Sequence, residues 1–203
     1  MLKLQPGVTL YLARHGQTKA NTENRFSGKR DTPLTETGFA QARAIGEILK
    51  REVGMRPPLT FIASPLARAC TTMQIVLPVL GLSENAYTID PRLQEVDLGD
   101  WDQLTDEEAR ARDPVFFEAR IKDKWHLPVP GGENYEQVAA RASAWAQSLT
   151  GDTFAVSHGA LTRILRGLLS GHEPAKIAGE RGRDEPQGVV FRIRDGQVAR
   201  LDP

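Results

Sequence analysis

Short apolar runs alternate with helical segments along this chain, and the alternation restricts the fold more than any other feature. The clearest run is Val8 to Ala13 (VTLYLA), which is β-branched and apolar and ends abruptly at Arg-His-Gly. Further strands are predicted over residues 59–63, 86–89, 153–156, 189–194 and 198–201. This order predicts an α/β fold, a three-layer sandwich in which helices flank a mostly parallel central sheet.

Capping and stop signals place the helices between these strands. Thr35 begins a helical pattern that Gly54 and the following prolines end, and Asn134 to Gln137 has the form of a capping box for a helix to Leu149. Ser64-Pro65 predicts an N-cap with proline in the first helical position. Two more helices are predicted over residues 105–112 and 115–123, whereas residues 16–34 are expected to be irregular.

Three polar sequences follow predicted strands directly. His15 follows the first strand, Ser64 the second with Arg68 shortly after it, and His158 follows the strand that ends near Val156. Ligands of parallel α/β sheets bind at the carboxyl ends of the strands. We therefore expect these three regions to meet at one edge of the sheet.

The charge balance bears on the kinds of partner, and the length bears on the number of domains. The chain has 203 residues, with 26 basic and 26 acidic side chains, so net charge gives no reason to expect nucleic acid or an anionic membrane surface as a partner. Within this overall balance, the segment from Arg14 to Arg30 is basic. It contains five basic residues and the single acid Glu23, and it could hold a small anion. The length predicts one domain over residues 1–203, with cap elements near 16–34 and 102–130.

Cysteine content and hydropathy indicate the compartment. Cys70 is the only cysteine, so an intramolecular disulfide or a cysteine metal cage is excluded. Lys3 and Pro6 interrupt the apolar residues of the N-terminus, and no stretch approaches the roughly 18 apolar residues of a membrane span. A cytoplasmic location is the expectation.

The Arg14-His15-Gly16 triplet suits phosphoryl transfer. An imidazole nitrogen can attack phosphorus, and covalent catalysis divides one difficult displacement into two easier ones. A guanidinium offers paired N–H donors to the transferring oxygens, and a glycine lets backbone amides approach an anion. By itself the triplet is weak evidence, because a histidine at a strand end often has no catalytic role.

Five ordered motifs together make the chain resemble a known family. The stretch LARHGQTKANTENRFSGKRDTPLTETG is similar to the signature of the histidine phosphatase superfamily, in the branch that contains cofactor-dependent phosphoglycerate mutase. The resemblance covers residues 8 to about 166. The other four motifs are Ala63-Ser64-Pro65-Leu66-x-Arg68-Ala69, Leu93-x-Glu95-x-x-x-Gly99-x-Trp101, Gly131-Gly132-Glu133 and Val156-Ser157-His158-Gly159.

The resemblance implies a role for each matching residue. His15 would be the nucleophile, and Glu95 would protonate the leaving group and then activate water. The residues implied around the phosphate are Arg14, Asn21, Arg68 and His158, the last as a cation or a hydrogen-bond donor, with Ser27 and Gly28 facing the substrate. Position alone does not distinguish Glu95 from Asp97 or Asp100.

Other conspicuous side chains are predicted to have supporting roles. Asp31 and Thr35 are expected to shape the loop and cap the helix, and Glu133 to orient arginines of the site. Trp101 and Trp125 are expected in the core. His126 and His172 have no motif around them and are expected to be structural or exposed.

Rival phosphatase mechanisms lack their motifs. Val76 stands where Cys-x5-Arg requires arginine after Cys70, no Asp-x-Asp lies near the N-terminus, and no Walker loop is present. With four histidines, two of which the resemblance assigns to phosphate, a metallophosphatase is disfavoured. We therefore expect an enzyme that uses neither a metal nor another cofactor.

The predicted function is hydrolysis of a small phosphorylated metabolite. A mutase is the alternative within enzymes, disfavoured because the segment between Glu95 and His158 lacks the longer basic insertion of typical mutases. A binding protein that has lost catalysis is the alternative from another class. Departures from the family at Asp102-Gln103, Asn134 and Gln187 lie where the leaving group would be recognised, so the sequence does not identify the substrate or the oligomeric state.

Overall fold

A six-stranded sheet lies between two layers of helices in the computed structural model, which describes residues 2–179 and 185–203. The strands are β1 Leu10–Arg14, β2 Thr60–Ala63, β3 Thr88–Ile89, β4 Thr153–Ser157, β5 Val190–Arg194 and β6 Gln197–Leu201. The helices are α1 Lys19–Thr22, α2 Glu36–Val53, α3 Ala67–Val79, α4 Asp106–Arg112, α5 Pro114–Lys122, α6 Tyr135–Gln147, α7 Gly159–Leu169 and α8 Pro174–Gly179. None of the helices in this part of the chain combines the length and apolar character that a bilayer span requires.

The strand order β3-β2-β4-β1-β5-β6 confirms the predicted fold class. The first four strands pair in parallel, and the β5–β6 hairpin adds two antiparallel strands at one edge. Asp195 and Gly196 turn this hairpin with positive φ angles, as a tight two-residue turn requires.

Both faces of β1 are buried, which explains its uninterrupted apolar sequence. Leu10 and Leu12 belong to the core cluster that contains residues of α6 and α7. Tyr11 and Ala13 belong to the second cluster, with residues of α2 and α3. The sheet therefore separates two apolar cores and forms the middle layer of a three-layer sandwich.

The helix caps agree with the sequence prediction at two places and disagree at one. Thr35 accepts a hydrogen bond from the Gly38 amide at the start of α2, and Asn134 forms the predicted capping box with Gln137. The N-cap predicted at Ser64 was wrong, because α3 begins only at Ala67 and its N-cap residue is Leu66. Ser64 is fully buried and bonds His158 instead.

Three further details differ from the sequence prediction. The segment 16–34 contains the four-residue helix α1, which is too short for hydrophobic periodicity to reveal. The third strand is confined to Thr88–Ile89, and α6 ends at Gln147 rather than Leu149. Helix α8 was not predicted, since its six residues are fewer than two turns.

Two glycines allow the loop after β1 to lie against the start of α2. A Cβ atom at Gly16 would collide with the backbone carbonyl of Gly38, and a Cβ atom at Gly38 would collide with the backbone carbonyl of Gln17. The Gly16 amide also donates to the Thr72 hydroxyl of α3, at 3.0 Å. These contacts set the position of His15, which immediately precedes Gly16.

We predict that Gly38→Ala destabilises the protein although alanine is the better helix former. The added methyl group has no space beside the Gln17 carbonyl, and overpacking of this kind costs about 1–3 kcal/mol. The matched control is Gly151→Ala, since nothing lies within 4 Å of a Cβ atom there. Urea unfolding of the three proteins measures the difference, and a Gly38→Ala protein as stable as the control would contradict the close approach.

Candidate active site

The carboxyl ends of β1, β2 and β4 meet as the sequence analysis expected. In the parallel register, Arg14 lies beside Ser157 and Ala63 beside Val156. The His15 amide donates to the Ser157 carbonyl at 2.9 Å, and the Ser64 amide donates to the Val156 carbonyl at 3.0 Å. Both histidines and Ser64 therefore leave the sheet at the same edge.

A backbone carbonyl orients the His15 ring. Nδ1 of His15 lies 2.7 Å from the Gly16 carbonyl oxygen, which can only accept, so Nδ1 carries the proton and Nε2 keeps its lone pair. The residue is 3% exposed. Burial, followed by the charges of Arg68 and Arg14, lowers the pKa of His15 well below its ordinary value. The imidazole is thus neutral, as a nucleophile must be.

Arg14 supplies a buried positive charge next to His15. One of its terminal nitrogens donates to the Glu185 backbone carbonyl at 2.6 Å. Burial lowers the pKa of Arg14 to about 10, against the favourable charges of Glu95 and Glu185. The guanidinium therefore remains charged at neutral pH in a place where water is scarce.

Arg68 and His158 form a bonded pair behind His15. Nε of Arg68 donates to Nδ1 of His158 at 3.2 Å, so the proton of this ring is on Nε2, which donates to the Ser64 hydroxyl at 2.7 Å. Burial and then the charge of Arg68 lower the pKa of His158 well below its ordinary value. The ring therefore donates to Ser64, His158 is not among the residues that line the pocket, and its contact with phosphate stays a prediction. Its ring meets the ring of His15 edge-on at 5.1 Å.

The remaining nitrogens of Arg68 bind the loop that precedes α2. They donate to the backbone carbonyls of Ser27, Gly28 and Arg30 and to the Asp31 carboxylate. Asp31 also accepts from the first amides of α3, which confirms its expected role in shaping the loop. Burial lowers the pKa of Arg68. Its contact with phosphate stays a prediction.

Glu95 lies at the N-terminus of α7 with its carboxylate in the pocket. One carboxylate oxygen accepts from the amides of Val96 and Leu161, and the other accepts from the amide of Ala160. Asp97 bonds Lys29 and the Gly99 amide instead, outside the pocket lining. Of the three carboxylates that position alone did not distinguish, Glu95 lines the pocket and Asp97 and Asp100 do not, and its role as acid and base stays a prediction.

Of the three other predicted residues, Asn21 and Ser27 line the pocket and Gly28 does not. Asn21 uses its carboxamide oxygen to accept from the Thr18 amide, and its side chain lines the pocket. Ser27 lines the pocket too, and its hydroxyl is buried and bonds no group of the described chain. Gly28 packs against the backbone of Leu98, and its amide donates to Asp102.

A pocket of about 160 Å³ opens over His15. Its polar end is formed by Arg14, His15, Asn21, Ser27 and Glu95. Its other walls combine apolar side chains with the charged side chains of Arg25, Asp106, Arg110, Arg120 and Lys124. These walls include Phe26, Val96, Leu98, Trp101, Phe117, Ile121, Val129 and Tyr135.

Gln187 and Arg141 have supporting roles that the sequence analysis did not predict, although it named Gln187 as a departure from the family pattern. Gln187 donates to the His15 backbone carbonyl at 3.0 Å and to the Asn21 carboxamide at 3.2 Å. Arg141 donates to the backbone carbonyls of residues 92, 94 and 95, and Glu133 holds it by two hydrogen bonds. Glu133 thus orients an arginine as expected, but that arginine positions the Glu95 loop and does not line the pocket.

The tryptophans and the two other histidines considered in the sequence analysis lie in the core or at the surface. Trp125 is buried in the core, while Trp101 is buried and also lines the pocket. His126 is exposed beside Asp123, and His172 lies beside Lys176. Within residues 2–179 and 185–203, no group of three His, Cys, Asp or Glu side chains is arranged to hold a metal ion.

We predict that the buried neutral histidines make stability fall as the pH falls. The unfolded chain takes up a proton on His15 near pH 6.5, whereas the folded chain does so only at lower pH. Between these two pH values the unfolded state binds more protons, so the free energy of unfolding falls as the pH falls. Below pH 6, His15→Gln should reduce the slope of unfolding free energy against pH by about 1 kcal/mol per pH unit. Urea unfolding at pH 5 to 7 measures both slopes, and equal slopes would show that folded His15 is protonated.

Comparison with known proteins agrees with this geometry. The model of the histidine phosphatase superfamily (branch 1) matches residues 10–198. The 2,3-bisphosphoglycerate-dependent phosphoglycerate mutase of Brucella anthropi is 37% identical over 202 residues, which cover 94% of this chain and 95% of the relative.

Solved structures of phosphatases superpose over almost the whole chain. The alpha-ribazole phosphatase of Shigella flexneri is 26% identical with a TM-score of 0.81, over 97% of this chain and 96% of that one. Mycobacterial glucosyl-3-phosphoglycerate phosphatase, in complex with VO3, is 29% identical with a TM-score of 0.75, over 97% of this chain and 98% of that one.

Proposed function

Because the chain belongs to the histidine phosphatase superfamily, we propose that it hydrolyses a small phosphomonoester through a phosphohistidine at His15, without a metal ion. One observation carries the proposal. The Gly16 carbonyl holds the His15 proton on Nδ1, which leaves a neutral Nε2 in a pocket that also contains Arg14 and Glu95. Nucleophile, fixed cation and acid–base group thus meet at one end of a cavity.

In the first step, Nε2 of His15 attacks phosphorus and the bond from phosphorus to the ester oxygen breaks. The leaving oxygen takes a proton from Glu95, so the departing group is an alcohol. The charge on the three transferring oxygens is stabilised by the Arg14 guanidinium and by the Asn21 and Ser27 side chains. Since Arg14 is fixed before substrate arrives, little reorganisation accompanies the step.

In the second step, water replaces the alcohol and attacks phosphorus. Glu95, now a carboxylate, takes a proton from this water as the bond from phosphorus to Nε2 breaks. Inorganic phosphate leaves, and His15 returns to its neutral form with the Nδ1 proton in place. Glu95 can serve both steps because three backbone amides hold its carboxylate at one position.

A mutase shares the first step and differs in what takes the phosphoryl group from His15. The 37% identity to a phosphoglycerate mutase favours this second candidate. Hydrolysis is supported by the phosphatase structures that match nearly the whole chain. The length of the segment between Glu95 and His158 does not separate the two activities, because the mutase relative matches over 95% of its own length. We therefore keep hydrolysis as the proposal.

Phosphate release from a panel of phosphomonoesters, measured with excess chelator, tests the proposal. The panel includes a monophosphoglycerate and a bisphosphoglycerate, and the isomers of each product are followed. We predict chelator-resistant release by the native protein and a loss of at least about 10³-fold in His15→Ala, because the nucleophile is gone. The exposed His126 provides the matched control, and His126→Ala should release phosphate at the native rate.

The other outcomes separate the alternatives. Exchange of phosphoglycerate isomers without net release would replace the phosphatase with the mutase. Release that the chelator abolishes, or that His15→Ala retains, would refute the phosphohistidine mechanism. Tight binding of phosphate esters with neither release nor exchange would indicate a binding protein.

A further inference from the structure

The pocket contains a buried guanidinium that the proposed chemistry does not use. Arg120 of α5 is 3% exposed and lines the pocket that also holds His15. Among residues 2–179 and 185–203, no carboxylate forms an ion pair with it, and its Nε is buried without a hydrogen-bond partner. A buried charge that lacks a partner is costly, and an anionic ligand that paired with it would offset part of that cost.

The surroundings of Arg120 offer it an aromatic face rather than an anion. Its guanidinium lies 5.2 Å from the centre of the Tyr135 ring. Asp123 acts on it only through space, and this carboxylate is bonded to His126. Burial accordingly lowers the pKa of Arg120.

Other arginines of the pocket have partners in the protein. Arg14 donates to the Glu185 carbonyl, Arg25 pairs with Glu108, and Arg110 pairs with Glu118. Arg120 differs from Arg25 and Arg110 in being buried, and its side chain forms no hydrogen bond or ion pair with the described part of the chain, which leaves its N–H groups available to a ligand.

The pocket provides an apolar surface between its charged groups. The Trp101 ring stacks on Phe117 at 5.3 Å and on Phe26 at 5.5 Å, and all three side chains line the cavity. A cavity of about 150 Å³ is large enough to admit benzene in another protein. A pocket of about 160 Å³ thus accepts an apolar group of that size.

We propose that Arg120 binds an anionic group on the leaving group, so that it selects phosphomonoesters in which an apolar or aromatic body carries a second anion. The phosphoryl group lies at His15, the body lies along Trp101 and Phe117, and a carboxylate or phosphate reaches Arg120. This inference rests on the proposed function for the placement of the reacting phosphate. It identifies Arg120 as a specificity-determining residue of the same site.

Binding of two matched phosphonates tests the inference without requiring turnover. Benzylphosphonate and 4-carboxybenzylphosphonate differ only in the distal carboxylate, and neither can be hydrolysed. Calorimetry should show that native protein binds the carboxylated compound at least 10-fold more tightly. Arg120→Gln should lose about 10- to 100-fold in affinity for that compound, the usual effect of one charged hydrogen bond, and change by less than about 3-fold for benzylphosphonate.

Two further variants separate recognition from folding. Lys122→Gln removes an exposed charge from the same helix and should keep the native preference. Arg120→Lys keeps a positive charge at this position and should retain part of the preference for the carboxylated compound. The inference is overturned if native protein does not discriminate between the compounds, if Arg120→Gln keeps the preference, or if Arg120→Gln and Arg120→Lys weaken both compounds equally.

The proposed function is tested separately in the same samples. Native protein should release phosphate from benzyl phosphate or from 4-carboxybenzyl phosphate, and His15→Ala should release it from neither. Loss of the carboxylate preference with His15-dependent release intact would refute only the role of Arg120. A preference that depends on Arg120, without any release, would refute only hydrolysis. Failure of native protein to bind either phosphonate would overturn the role of Arg120, and phosphate release from the phosphomonoester panel would then decide hydrolysis separately.

Discussion

The hydrogen bond from Nδ1 of His15 to the Gly16 carbonyl is the constraint on which the rest of the site depends. At 2.7 Å it fixes both the tautomer and the orientation of the ring. The carbonyl is itself held in place, because Gly16 packs on Gly38 of α2 and its amide bonds Thr72 of α3. Helices α2 and α3, on one face of the sheet, thereby fix the direction of the Nε2 lone pair of His15. The nucleophile is therefore oriented before a substrate binds.

Burial of the cations around His15 costs free energy, and a bound phosphate ester would offset part of that cost. Arg14 and Arg68 lie close enough to lower the pKa of His15, and burial lowers the pKa of each arginine. A dianionic substrate reverses the sign of this interaction, since it brings negative charge to a region of positive potential. The same fields that keep the nucleophile neutral without ligand would therefore draw the phosphoryl group towards it.

Local signals and family motifs predicted much of the fold and of the site. The caps at Thr35 and Asn134, the strand before His15 and the Asp195-Gly196 turn depend on contacts within a few residues, so the sequence shows them directly. Ser64 was misassigned because its partner, His158, lies 94 positions away and overrides a local capping pattern. The hydrogen bonds of Gln187 and the burial of Arg120 were missed for the same reason. No local pattern distinguishes Gln187, which bonds His15 172 positions away, and burial of Arg120 is visible only once α5 packs over the pocket.

The most direct test of the account is to trap the phosphorylated enzyme and determine which atom carries the phosphoryl group. Native protein is mixed with substrate and quenched within milliseconds in alkali, where phosphohistidine survives, and ³¹P NMR with peptide mass spectrometry then locates the modification. The Gly16 hydrogen bond predicts phosphate on Nε2 of His15, in an amount that approaches one per chain when hydrolysis of the intermediate is slow. Phosphate on Nδ1, or on any other residue, would contradict it.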